Sequence, residues 1–399
     1  MGELGGELGG GDLDDLLVVT LEHAVAAPYA SCKLADAGAR VIKIERHDGD
    51  FARHYDSLAQ GLSAYFVWIN RGKESVCLNL KAASDLAVFR AMLEKADVFI
   101  QNLSPGAMER MGLGVDSLRR ANPRLIVCSI TGYGSSGPAK DQKAYDLLIQ
   151  AESGLSAING TEEGPARVGV SVCDIAAGMT AYQAILQALI GRRKTGEGRA
   201  IEVSLFHALA DWMNVPYLQY RYGKKKPTPM GLHHPTIAPY GAFDCADGKV
   251  LLLSVQNERE WATLCKTFLE DPALAQREGF ASNAQRVANR KEVDGRVAIA
   301  MARRSRAENV ALLSKAGIAY GRLSDLDDLI SHPQHSLITV RTEAGEIEML
   351  APGAAIAGQA AQFRPVPALG AHSEAVIAEF APRPETTRAE AGQETRRQA

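Results

Sequence analysis

The sequence predicts an α/β protein: a large domain built on a parallel sheet, followed by a smaller α+β domain. Three observations carry that expectation. Between Leu16 and Leu205, short runs rich in Val, Ile and Leu alternate with helix-like segments, the pattern of a parallel sheet covered by helices. Near residue 220 the texture turns rich in Gly, Pro and Lys (YRYGKKKPTPMGLHHPTIAPY), as a linker would. The chain's 399 residues also exceed the roughly 250 to 300 at which single hydrophobic cores stop growing.

Residues 1–12 are Gly-rich and acidic and read as a flexible tail. The strand candidates that follow are LLVVT (16–20), VIKIE (41–45), VCLNL (76–80), VFIQN (98–102), LIVCSI (125–130) and IEVSL (201–205). Helices fill the gaps, most clearly at 83–96, 144–155 and 175–193. The last of these is mostly apolar, ends in basic residues ahead of Gly196 and has Asp174 just before its first turn, which predicts a central buried helix. The large domain therefore spans 13–220. In the linker and small domain, 221–330, GAFDC and KVLLLSV flank an Asp247-Gly248 turn as a hairpin, and helices at 258–269 and 306–316 follow. Residues 331–381 return to short strands (SLITVRT, EIEMLAP) and are expected to rejoin the large domain. The end, 382–399, has no aromatic or branched aliphatic residue to bury and reads as a second flexible tail.

Hydrophobic residues make up 46% of the chain and charged residues 23%, a globular composition. With 44 basic against 47 acidic residues the net charge is -3, which supplies no field for a polyphosphate backbone, so no nucleic-acid partner is expected. Six scattered cysteines without a CxxC pair indicate neither a zinc site nor a disulfide framework. The N-terminal MGELGGELGGGDLDD has no basic or apolar leader region, and no uncharged apolar run reaches the roughly 20 residues of a membrane helix. A cytoplasmic protein without a membrane or lipid anchor is the expectation.

GYGSSG (132–137) matches the dinucleotide pattern GxGxxG, but Pro138 and the polar AKDQK follow where a helix should open. The P-loop, nucleophile-elbow and zincin motifs are absent, and the adjacent pair His233-His234 reads as a pocket-lining turn, so no metal is expected. Lys43, Arg46, Arg71, Lys73, Lys81, Arg110 and Lys143 lie after strands or in loops, where cations meet a phosphorylated ligand. Asp174, in VGVSVCD, has two readings: a helix N-cap, or a carboxylate nucleophile beside a helix N-terminus.

Several ordered blocks, LEHAVAAPYASCKLADAGARVIKIER, FVWINRGKESVCLNLK, ADVFIQNLSPGAMERMG, SITGYGSSGP and VSVCDIAAGMTAYQAILQAL with RRKTGEGRAIEVSL, span about 15–380. Together they resemble the class III CoA-transferases, the family of formyl-CoA transferase and of carnitine and bile-acid CoA-transferases, which also holds α-methylacyl-CoA racemase. The resemblance implies a Rossmann-like large domain, a smaller second domain and two chains threaded into an interlocked homodimer. It implies no permanently bound cofactor; a CoA thioester and a carboxylic acid are the substrates.

The block before the long helix places the family's nucleophile at Asp174. In the implied mechanism its carboxylate attacks the donor thioester to give a mixed anhydride and CoA thiolate. The thiolate returns to form an aspartyl-CoA thioester, and the acceptor carboxylate repeats the steps in reverse. The implied CoA contacts are His23, Ala24, Ala26, Arg46, Leu78, Lys81, Asn102, Leu103, Arg110, Met111, Lys143 and Tyr145.

Two departures narrow the reading. Where the racemase motif has a histidine before an aspartate this chain has Tyr145-Asp146, and a phenol, with a pKa of about 10, is a poor base at neutral pH. The glycine loop of formyl-CoA transferase is missing; PMGLHHPTIAPYG stands in its region and looks similar to loops of members acting on C4 and C5 dicarboxylates such as succinate, itaconate and mesaconate. Gly231, His233 and His234 are therefore expected to cover the acyl pocket, a histidine holding the distal carboxylate. The expected activity is CoA transfer between dicarboxylates, or within one as in mesaconyl-CoA isomerisation; racemisation and CoA binding without turnover are the alternatives.

Overall fold

The computed structural model describes residues 11–357 and 362–381, so both tails expected from the sequence lie almost wholly outside the described residues. The chain forms two compact units. The first holds the residues up to Ser153, Gly169–Trp212 and the chain from Ser336; the second holds Gly154–Val168 and Met213–His335. The change of unit falls at Met213 rather than at 220, and 154–168, which the sequence reading left in the large domain, belongs to the second unit.

The first unit is built on six parallel strands: β1 (Leu17–Leu21), β2 (Arg40–Glu45), β3 (Lys73–Cys77), β4 (Val98–Gln101), β5 (Ile126–Thr131) and β6 (Ala200–Ser204). Their order is β3-β2-β1-β4-β5-β6, that of a doubly wound sheet. β3 starts three residues before the run the sequence suggested. Its first residue is a buried lysine, which breaks the apolar pattern, while Leu78, expected inside the strand, lies just beyond it in the core.

One sheet face is covered by α2 (Ala83–Lys95) and α3 (Val115–Ala121), whose Phe89, Met92 and Leu118 pack with Val19, Ile44 and Phe99. The other carries α1 (Ala26–Asp36) and α5 (Val172–Thr195), with α4 (Asp146–Glu152) and α6 (Leu205–Trp212) against α5. By length and apolar composition α5 could cross a bilayer; it packs along α1 and β5 with Cys173, Ala177, Ala181 and Ile185 buried, while Met179 and Ile190 stay exposed.

Gly178 permits that packing, because a Cβ there would lie 2.7 Å from the Ala26 carbonyl oxygen and 3.0 Å from Tyr29 Cβ. Gly178→Ala is expected to cost about 1–3 kcal/mol in urea unfolding through overpacking. Unchanged stability would show that the two helices have room to spare.

The C-terminal segment closes the free edge of β3. The Ser75 N–H donates to His372 Nδ1 and the Cys77 N–H to Ser373 Oγ, and α10 (Ser373–Phe380) adds Val376 and Phe380 to the core. A hairpin, Leu337–Thr342 with Gly345–Leu350, packs Val340 and Ile347 on Phe66 and Val67 of the same unit.

In the second unit β7 (Tyr240–Asp244), β8 (Val250–Ser254) and β9 (Ala319–Arg322) make an antiparallel sheet. Helices α7 (Glu258–Thr267), α8 (Arg290–Met301) and α9 (Arg306–Ala316) enclose its core around Trp261, Phe268 and Val297. Asn257 caps α7 and a Ser305–Glu308 capping box starts α9.

Candidate active site

In a doubly wound sheet, ligands bind outside the carboxyl ends of the strands at the point where strand order reverses, here between β1 and β4. The two exits are tied together by Asn102. Its Oδ1 accepts the His23 N–H at 3.0 Å and its Nδ2 donates to the His23 carbonyl at 2.8 Å, so the side chain acts as one more rung of sheet. A cavity of about 280 Å³ opens there, lined by His23, Arg46, Gly49, Asp50, Phe51 and Leu103. A larger one, about 590 Å³, runs from Leu103 past Phe99, Val127 and Ser129 to Glu202.

Three of the cations read as ligand candidates are out of reach. Lys43 and Lys73 are wholly buried: Lys43 pairs with Asp50 at 2.9 Å and Lys73 with Glu22 at 2.7 Å. Arg71 is buried against Asp36. Strand positions that alternate toward a charged interior look the same in sequence as those facing a ligand, which is why spacing did not separate them. Arg46, Lys81, Arg110 and Lys143 do stand exposed to solvent, Arg46 with only an exposed partner, Asp48, at 3.2 Å.

The remaining implied CoA contacts fall into distinct surroundings. The half-buried His23 ring lies 4.9 Å from Phe51, and burial holds its imidazole below the usual pKa, neutral at pH 7. Ala24 sits at φ 65°, a left-handed conformation costly for a residue with a Cβ. Ala26 is buried at the start of α1, where its carbonyl faces Gly178, and Leu78 is a core residue, 2% exposed, which removes its side chain from any channel wall. Met111 packs on the same core, Leu103 borders both cavities, and Tyr145 is 63% exposed at the end of the 132–145 loop.

Asp174 is not an N-cap. Helix α5 begins at Val172, with Ser171 at the cap position making no side-chain bond, so Asp174 lies inside the first turn. The capping is supplied from 28 residues away by Asp146, whose Oδ1 accepts the N–H groups of Cys173 at 2.7 Å and Asp174 at 3.2 Å. Val172 N–H is taken by the Val170 carbonyl. The donors that would have stabilised the Asp174 charge are thus occupied, and a second acid stands beside it. Among the described residues no hydrogen bond or ion pair reaches the Asp174 carboxylate. Burial, then the Asp146 charge, push its pKa up to about 7.

Tyr55 is a neighbour that the sequence did not reveal. Burial, then the charges of Asp50 and Asp174, push its phenol up to about 12. With His23 and Phe51 at 4.9 Å, Phe51 and Tyr55 at 5.6 Å and Tyr55 and Tyr65 at 5.5 Å, it belongs to a row of rings that starts at the switch-point cavity. Asp50 and Asp146 were missed as well, because no local pattern shows that an acid in a turn caps a remote helix or turns inward to a lysine.

Gly231, His233 and His234 belong to the second unit. Gly231, at φ 56°, is exposed and donates its N–H to the Gly160 carbonyl at 2.7 Å. The His233 ring packs edge-on to Phe243 and over Gly241, where any Cβ would collide with it, and its Nε2 is 3.9 Å from Asp294. His234 stacks on Tyr240, its ring nitrogen accepts the Thr236 N–H, and burial, then Arg290, hold its pKa below the usual value.

A switch-point cavity with Arg46 in its lining and, on α5, a half-buried, unbonded carboxylate suit a phosphorylated, thioester-bearing ligand, and comparison with known proteins agrees. A family model described as CoA-transferase family III matches residues 13–373. The chain is 35% identical over 342 residues to acetyl-CoA:oxalate CoA-transferase of Acetobacter aceti, covering 85% of this chain and 87% of that protein. It is 33% identical over 376 residues to succinyl-CoA:glutarate CoA-transferase of Mus musculus, covering 92% and 86%. The crystal structure of a CAIB/BAIF family protein from Brucella suis matches with a TM-score of 0.79 at 31% identity, covering 93% of this chain and 100% of that one. On the match along nearly its whole length, the chain belongs to CoA-transferase family III.

Proposed function

We propose that this protein moves CoA from an acyl-CoA to a free dicarboxylate, with Asp174 as the nucleophile. The observation that carries the proposal is the state of that carboxylate, half-buried and unbonded while Asp146 occupies the helix donors around it. Such a group has no capping duty and keeps its lone pairs for an electrophile. Its oxygen adds to the thioester carbon and expels CoA thiolate, leaving an acyl-aspartyl anhydride. The thiolate then attacks the aspartyl carbonyl, the donor acid departs, and the acceptor carboxylate runs the sequence backward. No net proton is consumed, which suits a site whose nearby phenol, Tyr55, stays protonated.

Relatives that use oxalate and glutarate support a dicarboxylate as acceptor. The test is to incubate the protein in heavy water with succinyl-CoA, a methyl-branched acyl-CoA and a mixture of oxalate, glutarate, mesaconate, itaconate, malate and formate. Mass spectrometry of the acyl-CoA pool should show a new dicarboxylyl-CoA free of deuterium. Deuterium entering the branched acyl-CoA without transfer would sink the proposal in favour of racemisation.

Only ionised Asp174 attacks, and its pKa lies near 7, so kcat/KM for the acyl donor should fall about tenfold per pH unit below 7 and level off above it. A profile flat from pH 5 to 8 would remove Asp174 from the rate-determining chemistry.

The 231–234 turn is proposed to select the acceptor. His233→Ala/His234→Ala is expected to change the ratio of kcat/KM values between a dicarboxylate and a monocarboxylate acceptor by about tenfold, the scale of a lost polar contact. An unchanged ratio sinks that assignment. The interlocked homodimer implied by the resemblance belongs to the same proposal, with light scattering of the active protein as its measure.

A further inference from the structure

The acids and lysines buried at the switch-point cavity have no part in the chemistry just described. Asp50 stands at their centre, 4% exposed. Its Oδ1 accepts two backbone N–H groups, that of Ala24 at 3.2 Å in the turn after β1 and that of Ala52 at 2.9 Å in the turn after β2. Its Oδ2 receives the Lys43 ammonium at 2.9 Å. Lys43 in turn donates to the Glu22 carbonyl at 3.4 Å, and the Asp50 N–H donates to Glu45, whose carboxylate is held by Arg53 and Ser75. One carboxylate therefore ties together two turns that both line the cavity, the first carrying His23 and the second Gly49 and Phe51.

What it ties down is strained. Ala24 has φ 65°, a conformation that a residue with a Cβ keeps only when its surroundings impose it, and its N–H goes to Asp50. Asn102 fixes His23 on one side of that residue; Asp50 fixes Ala24 on the other. A buried acid–lysine pair is weak evidence for stability, since apolar residues of similar volume serve a core as well. The pair here is aimed at backbone donors on the rim of a ligand cavity.

We infer that Asp50 is a positioning residue for CoA, holding the Ala24 turn in its left-handed form so that the two cavity-lining turns are preset for the ligand. The ligand named here rests on the proposed function above.

The test uses Asp50→Ala/Lys43→Met, which removes acid and cation together and leaves no unpaired buried charge, and the same variant with Ala24→Gly added. Calorimetric titration with CoA should show the double variant about 10- to 100-fold weaker than the native protein, with kcat at saturating acyl-CoA within about threefold. Glycine adopts positive φ freely, so adding Ala24→Gly should recover about fivefold or more of the affinity. Hydrogen exchange of the ligand-free double variant should be at least about tenfold faster at residues 22–25.

CoA affinity within twofold of native overturns the inference. So does a loss that falls equally on kcat and is not relieved by Ala24→Gly, or unchanged exchange at 22–25. A native protein that binds no CoA, together with accelerated exchange in the variant, would instead overturn the CoA reading while leaving Asp50 as the holder of the turn.

Discussion

Asp174→Ala is expected to lower kcat for CoA transfer by at least about a thousandfold while CoA affinity stays within a few fold of native. The split follows from the site. The carboxylate forms no hydrogen bond among the described residues, so its removal disturbs no partner, whereas the covalent route has no other acid in its place on α5. The same group carries a stability signature independent of activity. Its carboxyl is raised from 3.8 to about 7, so the folded state holds a proton that the unfolded chain has released; native stability falls as pH rises between those values and is level above 7. The full shift corresponds to about 4 kcal/mol, which solvent at a half-buried carboxylate reduces to about 2. Asp174→Asn should therefore be more stable than the native protein by about 2 kcal/mol at pH 8 and equal to it at pH 4. Equal stability at both pH values would mean that the carboxylate is well solvated.

Lys73→Ala is expected to be the most damaging single change to the fold, about 3–5 kcal/mol at pH 7 in urea unfolding. Lys73 Nζ donates to Glu22 at 2.7 Å, to Asn70 at 2.9 Å and to the Pro28 carbonyl at 3.0 Å, all without solvent. Burial alone would raise the Glu22 pKa, but the charges of Lys73 and then Lys43 bring it below the usual value. That depressed pKa contributes stability that is fully present above about 4.5 and lost as pH falls from there through the lowered value of the folded state, so the deficit of Lys73→Ala should shrink as the solution is acidified below 4.5. Removing both charges in Glu22→Met/Lys73→Met should restore most of the loss, because no buried charge then lacks a partner. A cost below 1 kcal/mol for Lys73→Ala, or a double variant no better than the single, would contradict the account of this network.

The sheet was legible because parallel strands buried on both faces write themselves as apolar runs. β3 was displaced in the reading because Lys73, facing a charged interior, interrupts its run. Asp174 was visible as an acid before an apolar helix, but the remote cap that relieves it of that duty was not, since Asp146 reaches the helix across 28 residues of sequence. The cations were legible only as a set: spacing cannot tell Lys43, turned to Asp50, from Arg46, turned to solvent. Asp50 and Tyr55 depend on how the turns after β1 and β2 meet, which no local pattern encodes.

The central claim is that the Asp174 carboxyl is covalently activated, first as an anhydride and then as an aspartyl-CoA thioester. Incubating the protein with succinyl-CoA and no acceptor, adding hydroxylamine, and sequencing the digest by mass spectrometry tests it directly. Hydroxylamine nitrogen displaces CoA thiolate, or the acyl carboxylate, from the activated aspartyl group and leaves a hydroxamate. The account predicts that hydroxamate at Asp174 and at no other acid; transfer-competent protein with Asp174 unmodified would contradict it.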